Sequence, residues 1–196
     1  MDPVMKIAKK YNLKVIEDCA ESHGVEYKGK KVGSIGDVGA FSFFSNKTIT
    51  CGEGGMVTTN SEDLAQNARS LKNLCYGKIN KFMHEGVGFN YRLPNVSAAM
   101  GLGQFNDIDE IFKQKNRIDR RYRKNLQNVK GLNIPVINKD TTNYIMWVFN
   151  LYLDEEFGIE RDELTKKLKE INIDTRDAFV PINMQKIIQD DYGIKE

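Results

Sequence analysis

A helical pattern runs directly into a short apolar strand at the start of this chain, and this order restricts the fold more than any other feature. Asp2 and Pro3 are typical of a helix start, and apolar residues recur at helical spacing as far as Tyr11. Residues 13–16 (LKVI) are then mostly apolar and predict a buried strand. Because a helix that feeds a buried strand is the repeating unit of parallel sheets, the sequence predicts an α/β fold.

The rest of the chain contains elements of both kinds. The first half is predicted to contain a hairpin over 25–32, strands over 38–44 and 56–59, and a helix that Asn60 caps and that ends near Leu74. The second half is predicted to contain one very long helix, or two end to end, over 95–129, a strand over 144–153, and a helix over 160–171 with Leu164 and Leu168 inward. We therefore expect a first lobe over 1–93, a connecting helix over 94–130 and a small α+β lobe over 131–196.

Residues 75–93 form a long loop between the predicted helices. The loop contains glycines together with His84, Asn90 and Arg92. A loop of this length inside a compact protein usually carries function. The sequence alone leaves the role of His84 open.

Composition and charge exclude several classes of protein. Among 196 residues, 29 Lys and Arg stand against 27 Asp and Glu, so no basic surface is expected for a nucleic acid or an anionic membrane. No run approaches the roughly 18 apolar residues of a membrane helix, and residues 1–3 do not begin a signal peptide. Three scattered cysteines and two histidines indicate neither a disulfide framework nor a metal site. These features favour a cytoplasmic protein without a metal.

Three features of the first lobe are candidates for chemistry. Asp18 follows the predicted strand at 13–16, Lys47 lies in a polar turn after the strand at 38–44, and residues 52–55 are rich in glycine. Each has an ordinary structural explanation by itself, as a loop cap, a solvated lysine and a tight turn.

Their positions along the sheet make the combination more informative than each residue alone. The carboxyl ends of neighbouring parallel strands meet at one crevice, which would bring Asp18, Ser42 and Lys47 close together. A lysine that loses its proton in a dry pocket can form an imine with an aldehyde, and an aspartate can keep a pyridine nitrogen protonated. The sequence therefore predicts pyridoxal phosphate chemistry.

Several ordered motifs resemble the DegT/DnrJ/StrS family of sugar aminotransferases. The motifs are residues 15–24 (VIEDCAESHG), 33–47 (GSIGDVGAFSFFSNK), 52–56 (GEGGM) and 88–93 (GFNYRL), followed by Asn95 and residues 98–99. The resemblance covers most of the chain. Within the family, residues 46–50 (NKTIT) and Glu21 are most similar to perosamine synthetase, which aminates a GDP-linked keto-deoxymannose.

The resemblance implies a fold and a set of roles. Residues 1–93 would be part of the large domain of the aspartate-aminotransferase-like, type I pyridoxal phosphate fold. The resemblance implies that Lys47 is the imine-forming lysine and proton shuttle and that Asp18 is the partner of the pyridinium nitrogen. It implies that Glu21 is a neighbour of the cofactor's phenolic oxygen and that Ser42 is a phosphate ligand. The loop from Asn90 to Arg92 would contact the cofactor phosphate of the other subunit. Plainer alternatives are a surface carboxylate for Glu21, a backbone-bonded strand hydroxyl for Ser42, and a salt-bridged loop residue for Arg92.

The reaction implied by the resemblance is a pair of half-transfers. An amino acid, expected to be glutamate, aminates the cofactor, and the amino group then passes to the ketone of a nucleotide-linked keto-deoxysugar. The implied partners are these two substrates and either a second copy of the chain or a complementing chain. A sugar dehydratase of the same family carries histidine in place of Lys47. A nucleotide-binding module built on the glycine run at 52–55 would require a GxxxxGK motif, and none follows that run.

The sequence also departs from the family pattern. Family members begin well before Met1, Asp177 stands where proline is usual, and residues 181–183 replace a Pro-x-His that contacts the sugar. We therefore expect the chain to be a fragment that associates through an open sheet edge. Two alternatives remain open, namely an aminotransferase subunit that needs its missing half and a non-catalytic remnant or assembly partner.

Overall fold

The computed structural model describes residues 1–193 of the chain. The helices are α1 Asp2–Tyr11, α2 Glu62–Leu71, α3 Asn95–Asn106, α4 Ile108–Leu126, α5 Arg161–Glu170 and α6 Lys186–Tyr192. The strands are β1 Ile16–Asp18, β2 Glu26–Tyr27, β3 Lys30–Lys31, β4 Val38–Ser42, β5 Gly55–Thr58, β6 Leu132–Asn133, β7 Thr141–Asn143 and β8 Tyr152–Leu153. Short 3₁₀ helices lie at Glu155–Phe157 and Ile182–Met184.

The described chain forms two compact units. The first contains Met1–Tyr122 and Val136–Phe149, and the second contains Arg123–Pro135 and the described residues from Asn150 onward. These units differ from the three predicted segments because residues 136–149 group with the first unit. Residues 194–196, at the end of the predicted small lobe, lie outside the described part. The division into domains at 93 and 130 stays a prediction.

The first unit is organised around a sheet in which β4 is the central strand. β1 pairs with β4 in parallel, with Asp18 beside Ala40, and β5 pairs with β4 antiparallel, with Ser42 beside Gly55. Helix α1 precedes β1 directly, and its C-cap Asn12 adopts the left-handed conformation that ends the helix. The parallel pairing predicted from the order of helix and strand is therefore confirmed for β1 and β4.

A buried carboxylate connects β1 to the loop that leads into β4. The side chain of Glu17 is 7% exposed. Its Oε2 accepts a hydrogen bond from the Gly33 amide at 2.8 Å, and its Oε1 accepts from the amides of Ile35 and Gly36, both at 2.7 Å. Charge-assisted bonds of this kind are the strong ones in proteins. Glu17 thereby sets the path of residues 33–36.

Glycines allow the same loop to pack directly on β4. Gly33 has a φ of +83°, which favours glycine. A side chain at Gly39 would meet the Gly33 Cα at 2.5 Å, so the strand and the loop are in backbone contact there. The glycines of the sequence motif over 33–47 thus serve close packing.

The second sheet of this unit contains the predicted hairpin. β2 and β3 are antiparallel, and the two turn residues Lys28 and Gly29 have φ values of 48° and 76°. Positive φ at both positions is typical of a type I′ turn, whose twist suits a hairpin. β2 also pairs with β7, which comes from much later in the chain.

The predicted strand over 144–153 is wrong. β7 ends at Asn143 and β8 begins at Tyr152, and the residues between them belong to no strand. Ile145 and Met146 are adjacent, yet they are 3% and 4% exposed. Neighbouring residues of a strand point to opposite faces, so burial of both in the core favours an irregular path.

The predicted helices are present, but some of them begin or end at other residues than predicted. Ser61, not Asn60, caps α2, because the Ser61 hydroxyl accepts from the Leu64 amide at 3.4 Å. The Asn60 side chain instead donates to the Ser34 carbonyl, at 3.3 Å. Of the two alternatives for residues 95–129, the structure has two helices, α3 and α4, separated at Asp107.

Apolar side chains remain exposed on several elements of the first unit. Helix α3 has no buried residue, and Val96 and Leu102 on it are 75% and 62% exposed. Ile16 on β1 is 73% exposed. Surfaces of this kind are typical of interaction sites, although association of this chain stays a prediction. None of the helices described within residues 1–193 is both long and apolar enough to cross a membrane.

We predict that Glu17→Gln lowers the free energy of unfolding by about 2 kcal/mol, a typical cost for losing charged hydrogen bonds. The amide offers one acceptor oxygen, and its NH₂ group would face at least one of the three backbone amides. Chemical denaturation measures the change. Glu53→Gln, at an exposed position, is the matched control and should stay within about 0.5 kcal/mol of the wild type. Equal stability of the two variants would contradict the assignment of Glu17.

Candidate active site

Lys47 lies in a turn that follows β4 and is largely covered by other parts of the first unit. Its side chain is 11% exposed, and its Nζ is 3.6 Å from Glu21 Oε1, whose side chain is 49% exposed. The Nζ also lies 4.0 Å from the ring centroid of Trp147. An ammonium close to a carboxylate and an indole face is held by two attractive interactions. The structure thus brings Lys47 and Glu21 together.

Residues 44–51, which we call the Lys47 turn, are held by side chains from three distant segments. The Trp147 Nε1 donates to the Asn46 carbonyl at 2.9 Å, and the Ile49 amide donates to His23 Nδ1 at 3.4 Å. Gln104 makes two bonds to one residue of the turn. Its Nε2 donates to the Thr50 carbonyl at 2.7 Å, and its Oε1 accepts from the Thr50 amide at 3.1 Å. This scaffold leaves the backbone under Lys47 little freedom.

Asp18 and Ser42 lie where the parallel strands β1 and β4 end. Asp18 pairs with Ala40, two residues before Ser42, so the side chains of all three project from the same face of the sheet. Asp18 Oδ1 accepts from the Ala20 amide at 3.0 Å, and Ser42 Oγ accepts from the Phe44 amide at 3.2 Å. Each side chain therefore also shapes the bend that follows its strand.

Asn90 and Arg92 pair with each other instead of with the residues above. Arg92 Nε donates to Asn90 Oδ1 at 2.8 Å, and both residues are exposed. In the described part of the chain, no hydrogen bond or ion pair links either residue to Asp18, Glu21, Ser42 or Lys47. Their expected role toward another subunit stays a prediction.

The rest of the long loop is tied down near the end of α2. The Leu74 amide donates to the Phe89 carbonyl at 3.0 Å, and the Tyr91 amide donates to the Lys72 carbonyl at 3.0 Å. His84 Nδ1 lies 2.7 Å from the Leu74 carbonyl, which can accept but not donate, so Nδ1 carries the proton. The structure thus gives His84, whose role the sequence left open, a part in closing the loop.

His23 is a buried neighbour of Lys47 that we did not single out in the sequence. It is 7% exposed and packs on Phe41 and Phe43 at ring distances of 5.9 and 5.8 Å. Burial lowers the pKa of His23, the Ser42 backbone carbonyl opposes that effect, and the Lys47 charge lowers the pKa further. Because Nδ1 accepts from the Ile49 amide, the neutral ring carries its proton on Nε2. That atom makes no hydrogen bond of ordinary geometry to any described residue.

These side chains match the chemistry of pyridoxal phosphate. The site offers a shielded amine for an aldehyde, the Asp18 carboxylate for a pyridinium nitrogen, and the Ser42 hydroxyl for a phosphate oxygen. Across residues 1–193, no group of three or more His, Cys, Asp or Glu side chains is arranged to hold a metal ion. The residues present therefore fit the cofactor expected from the sequence.

Local sequence patterns do not identify three supporting residues of this site, namely His23, Gln104 and Trp147. Trp147 is the single tryptophan of the chain, but it lay inside a segment predicted to be a strand. Gln104 is one of four polar residues on helix α3, and nothing in its local pattern distinguishes it from the others. The separations of 54 residues from Thr50 to Gln104 and 101 residues from Asn46 to Trp147 explain why local patterns did not reveal the contacts.

We predict that His23 makes the protein less stable in mild acid. Its pKa is lowered in the folded state, so the unfolded chain binds a proton first as the pH falls through the ordinary histidine value of about 6.5. Stability is then lost progressively down to the folded-state pKa, by up to about 3 °C in melting temperature per pH unit.

Melting curves between pH 7.5 and 5.5 test this prediction. His23→Gln should flatten the dependence on pH, whereas His84→Gln, at an exposed histidine, should retain the wild-type slope. The prediction fails if the wild type and His23→Gln lose stability equally over this range.

The match to known proteins covers the whole chain. The model of the DegT/DnrJ/EryC1/StrS aminotransferase family matches residues 1–196. GDP-perosamine synthase from Caulobacter vibrioides is 39% identical over 184 residues, which are 94% of this chain and 50% of that protein. The dTDP-3-amino-3,4,6-trideoxy-alpha-D-glucose transaminase of Streptomyces venezuelae is 32% identical over 186 residues, which are 94% of this chain and 47% of that protein. The chain thus spans about half the length of these curated relatives.

The fold agrees with the same assignment. The crystal structure of DesV from S. venezuelae superposes with a TM-score of 0.87 at 31% identity, over 97% of this chain and 50% of DesV. The predicted fold class, a partial type I pyridoxal phosphate fold, is therefore confirmed. This chain belongs to the DegT/DnrJ/EryC1/StrS aminotransferase family, whose members are pyridoxal phosphate-dependent sugar aminotransferases.

Proposed function

We propose that this chain provides the lysine-bearing half of an aminotransferase site that uses pyridoxal phosphate to aminate a nucleotide-linked keto-deoxysugar. The observation that carries the proposal is the shielded Lys47 amine, 11% exposed and 3.6 Å from Glu21, on the turn that follows β4. The matched relatives support the reaction class, because they include GDP-perosamine synthase and a dTDP-sugar transaminase.

The proposed mechanism assigns a proton or a contact to each side chain. When bound, the cofactor supplies an aldehyde that takes up an amino group and a pyridinium ring that withdraws electrons. Lys47 carries protons to and from the reacting carbon, and Glu21 holds its ammonium in reach between these transfers. Asp18 remains ionised against the ring nitrogen, and the Ser42 hydroxyl donates to a phosphate oxygen. The buried His23 ring adds no second positive charge beside Lys47 while it is neutral.

The substrates and the assembly are also part of the proposal. We assign glutamate as the amino donor and a GDP-linked keto-deoxysugar as the acceptor, because residues 46–50 and Glu21 resemble perosamine synthetase. Asn90 and Arg92 are exposed as a hydrogen-bonded pair. They would bind the cofactor phosphate of a second copy or of a complementing chain. The setting is the cytoplasm.

A second candidate is a non-catalytic assembly partner that keeps the aminotransferase fold. The observation in its favour is that Asn90 and Arg92 bond to each other, with no described bond to the residues around Lys47. The chain also spans about half of its relatives. The next experiment separates this candidate from the first.

We predict that the protein incubated with pyridoxal phosphate develops an absorption band near the visible edge that borohydride removes. Lys47→Ala should abolish the band, because Lys47 supplies the amine that binds the cofactor covalently. Lys81→Ala, at an exposed lysine, should leave it intact. After reduction, mass spectrometry should find the cofactor on the peptide that contains Lys47. A wild-type protein without the band would favour the non-catalytic candidate.

We predict that Asp18→Asn keeps the covalently bound cofactor but slows amino transfer by more than about tenfold, a barrier increase of more than about 1.4 kcal/mol. An amide cannot keep the pyridine nitrogen protonated by charge. Single-turnover absorbance with glutamate measures the rate. Asp63→Asn, at an exposed residue in the first turn of α2, should react at the wild-type rate. An unchanged rate in Asp18→Asn would remove Asp18 from the mechanism.

A further inference from the structure

Trp147 makes two contacts with the Lys47 turn and one with helix α4. Its ring centroid lies 4.0 Å from Lys47 Nζ, and its Nε1 donates to the carbonyl of Asn46, the residue before Lys47, at 2.9 Å. On the other side, its backbone carbonyl accepts from Lys115 Nζ at 3.1 Å. The residues immediately before it, Ile145 and Met146, are buried. The indole is therefore fixed at both its ring nitrogen and its backbone.

The arrangement is selective for one state of Lys47. The face of an indole attracts an ammonium but has no comparable attraction for a neutral amine. Glu21, at 3.6 Å, adds a second attraction for the same charge. Trp147 and Glu21 thus form a binding position for the Lys47 side chain when its amine is free and protonated.

Few charged groups near this binding position compete with Lys47 for Trp147 or Glu21. Glu21 faces the Lys47 ammonium directly, and the buried His23 ring lies close enough for the Lys47 charge to act on it. From α4, Lys115 faces the backbone carbonyl of Trp147. Its ammonium is therefore occupied by a hydrogen bond to the backbone of Trp147, although burial lowers the pKa of Lys115.

We propose that Trp147 is a positioning residue that holds the released, protonated Lys47 amine against Glu21 between the two half-transfers. This inference rests on the proposed function of Lys47, and it extends that function to a residue 100 positions later in the chain. In the exchange step, an incoming amine would take the place of Lys47 in the carbon–nitrogen double bond to the cofactor's aldehyde carbon. The incoming amine would give up two protons to the Lys47 nitrogen, which already carries one proton while it is bound in protonated form. Lys47 would thus be released as an ammonium, which the Trp147 ring face and Glu21 hold.

The first test requires no cofactor. Trp147 is the single tryptophan, so the indole emission of the protein arises from this residue alone. Lys47→Met should change the intensity or the maximum of the emission at pH 7.5, because it removes the charge from the ring face. Lys81→Met, whose ammonium lies 5.2 Å from the Tyr76 ring centroid, is the matched control and should have no effect. Identical emission from the wild type and Lys47→Met would overturn the contact.

The second test measures how readily Lys47 is released. Protein loaded with pyridoxal phosphate is titrated with methylamine, and absorbance gives the concentration at which half of Lys47 is displaced. Loss of the ring should make the released ammonium less favourable, so Trp147→Leu should require about threefold or more methylamine, within the usual strength of such contacts. Trp147→Phe keeps a ring face and should lie between the wild type and Trp147→Leu.

A matched control and a second variant at position 147 keep this test decisive. Tyr76→Leu removes an aromatic partner from Lys81 and should leave the methylamine midpoint unchanged. Equal midpoints for Trp147→Leu and the wild type would overturn the positioning role. If Trp147→Leu does not fold, the Trp147→Phe midpoint decides, and a wild-type value then overturns the proposal. A wild type that takes up no pyridoxal phosphate would refute the proposed function, and the emission comparison would still decide the contact.

Discussion

The Glu17 carboxylate accepts hydrogen bonds from three backbone amides within residues 33–36. The arrangement of the strands in the first sheet depends on these hydrogen bonds. They fix the loop that enters β4 against the strand that contains Glu17 itself. β4 is the central strand, so its position determines where β1 and β5 lie. The carboxyl ends of β1 and β4 then carry Asp18 and Ser42 on one face. A buried charge would be costly if it were unpaired, but three short hydrogen bonds from backbone amides compensate for the desolvation of the carboxylate.

The Lys47 turn is the second point at which distant segments meet. His23, Gln104 and Trp147 each bond to the backbone of the turn, and they come from three separate parts of the sequence. Such support suits the role proposed for Lys47, because a reactive amine must remain within a small distance of the reacting atoms. The turn itself has no regular secondary structure. Its rigidity therefore comes from tertiary hydrogen bonds and not from a helix or strand ladder.

Family membership and the local geometry agree on the chemistry of this region. The shielded amine, the neighbouring carboxylate and the strand-end hydroxyl are the groups that pyridoxal phosphate requires, and the family match covers residues 1–196. Asn90 and Arg92 form a separate exposed pair on the loop that is tied to α2. The chain also spans about half the length of its curated relatives. We propose that the pair of Asn90 and Arg92 contributes to the cofactor site of a second copy or of a complementing chain.

Local sequence patterns determined the helix-to-strand start, the hairpin, the beginning of β4 at Val38 and the motifs around Asp18 and Lys47. They did so because helix caps, turn glycines and apolar runs act between residues close in the chain. Tertiary structure decided the rest. The alternation over 144–153 resembled a strand, but burial of Ile145 and Met146 imposed an irregular path that places Trp147 on Lys47. Likewise, Glu17 and Gln104 acquire their roles from backbone groups 16 to 54 residues away, and no local pattern encodes such pairings.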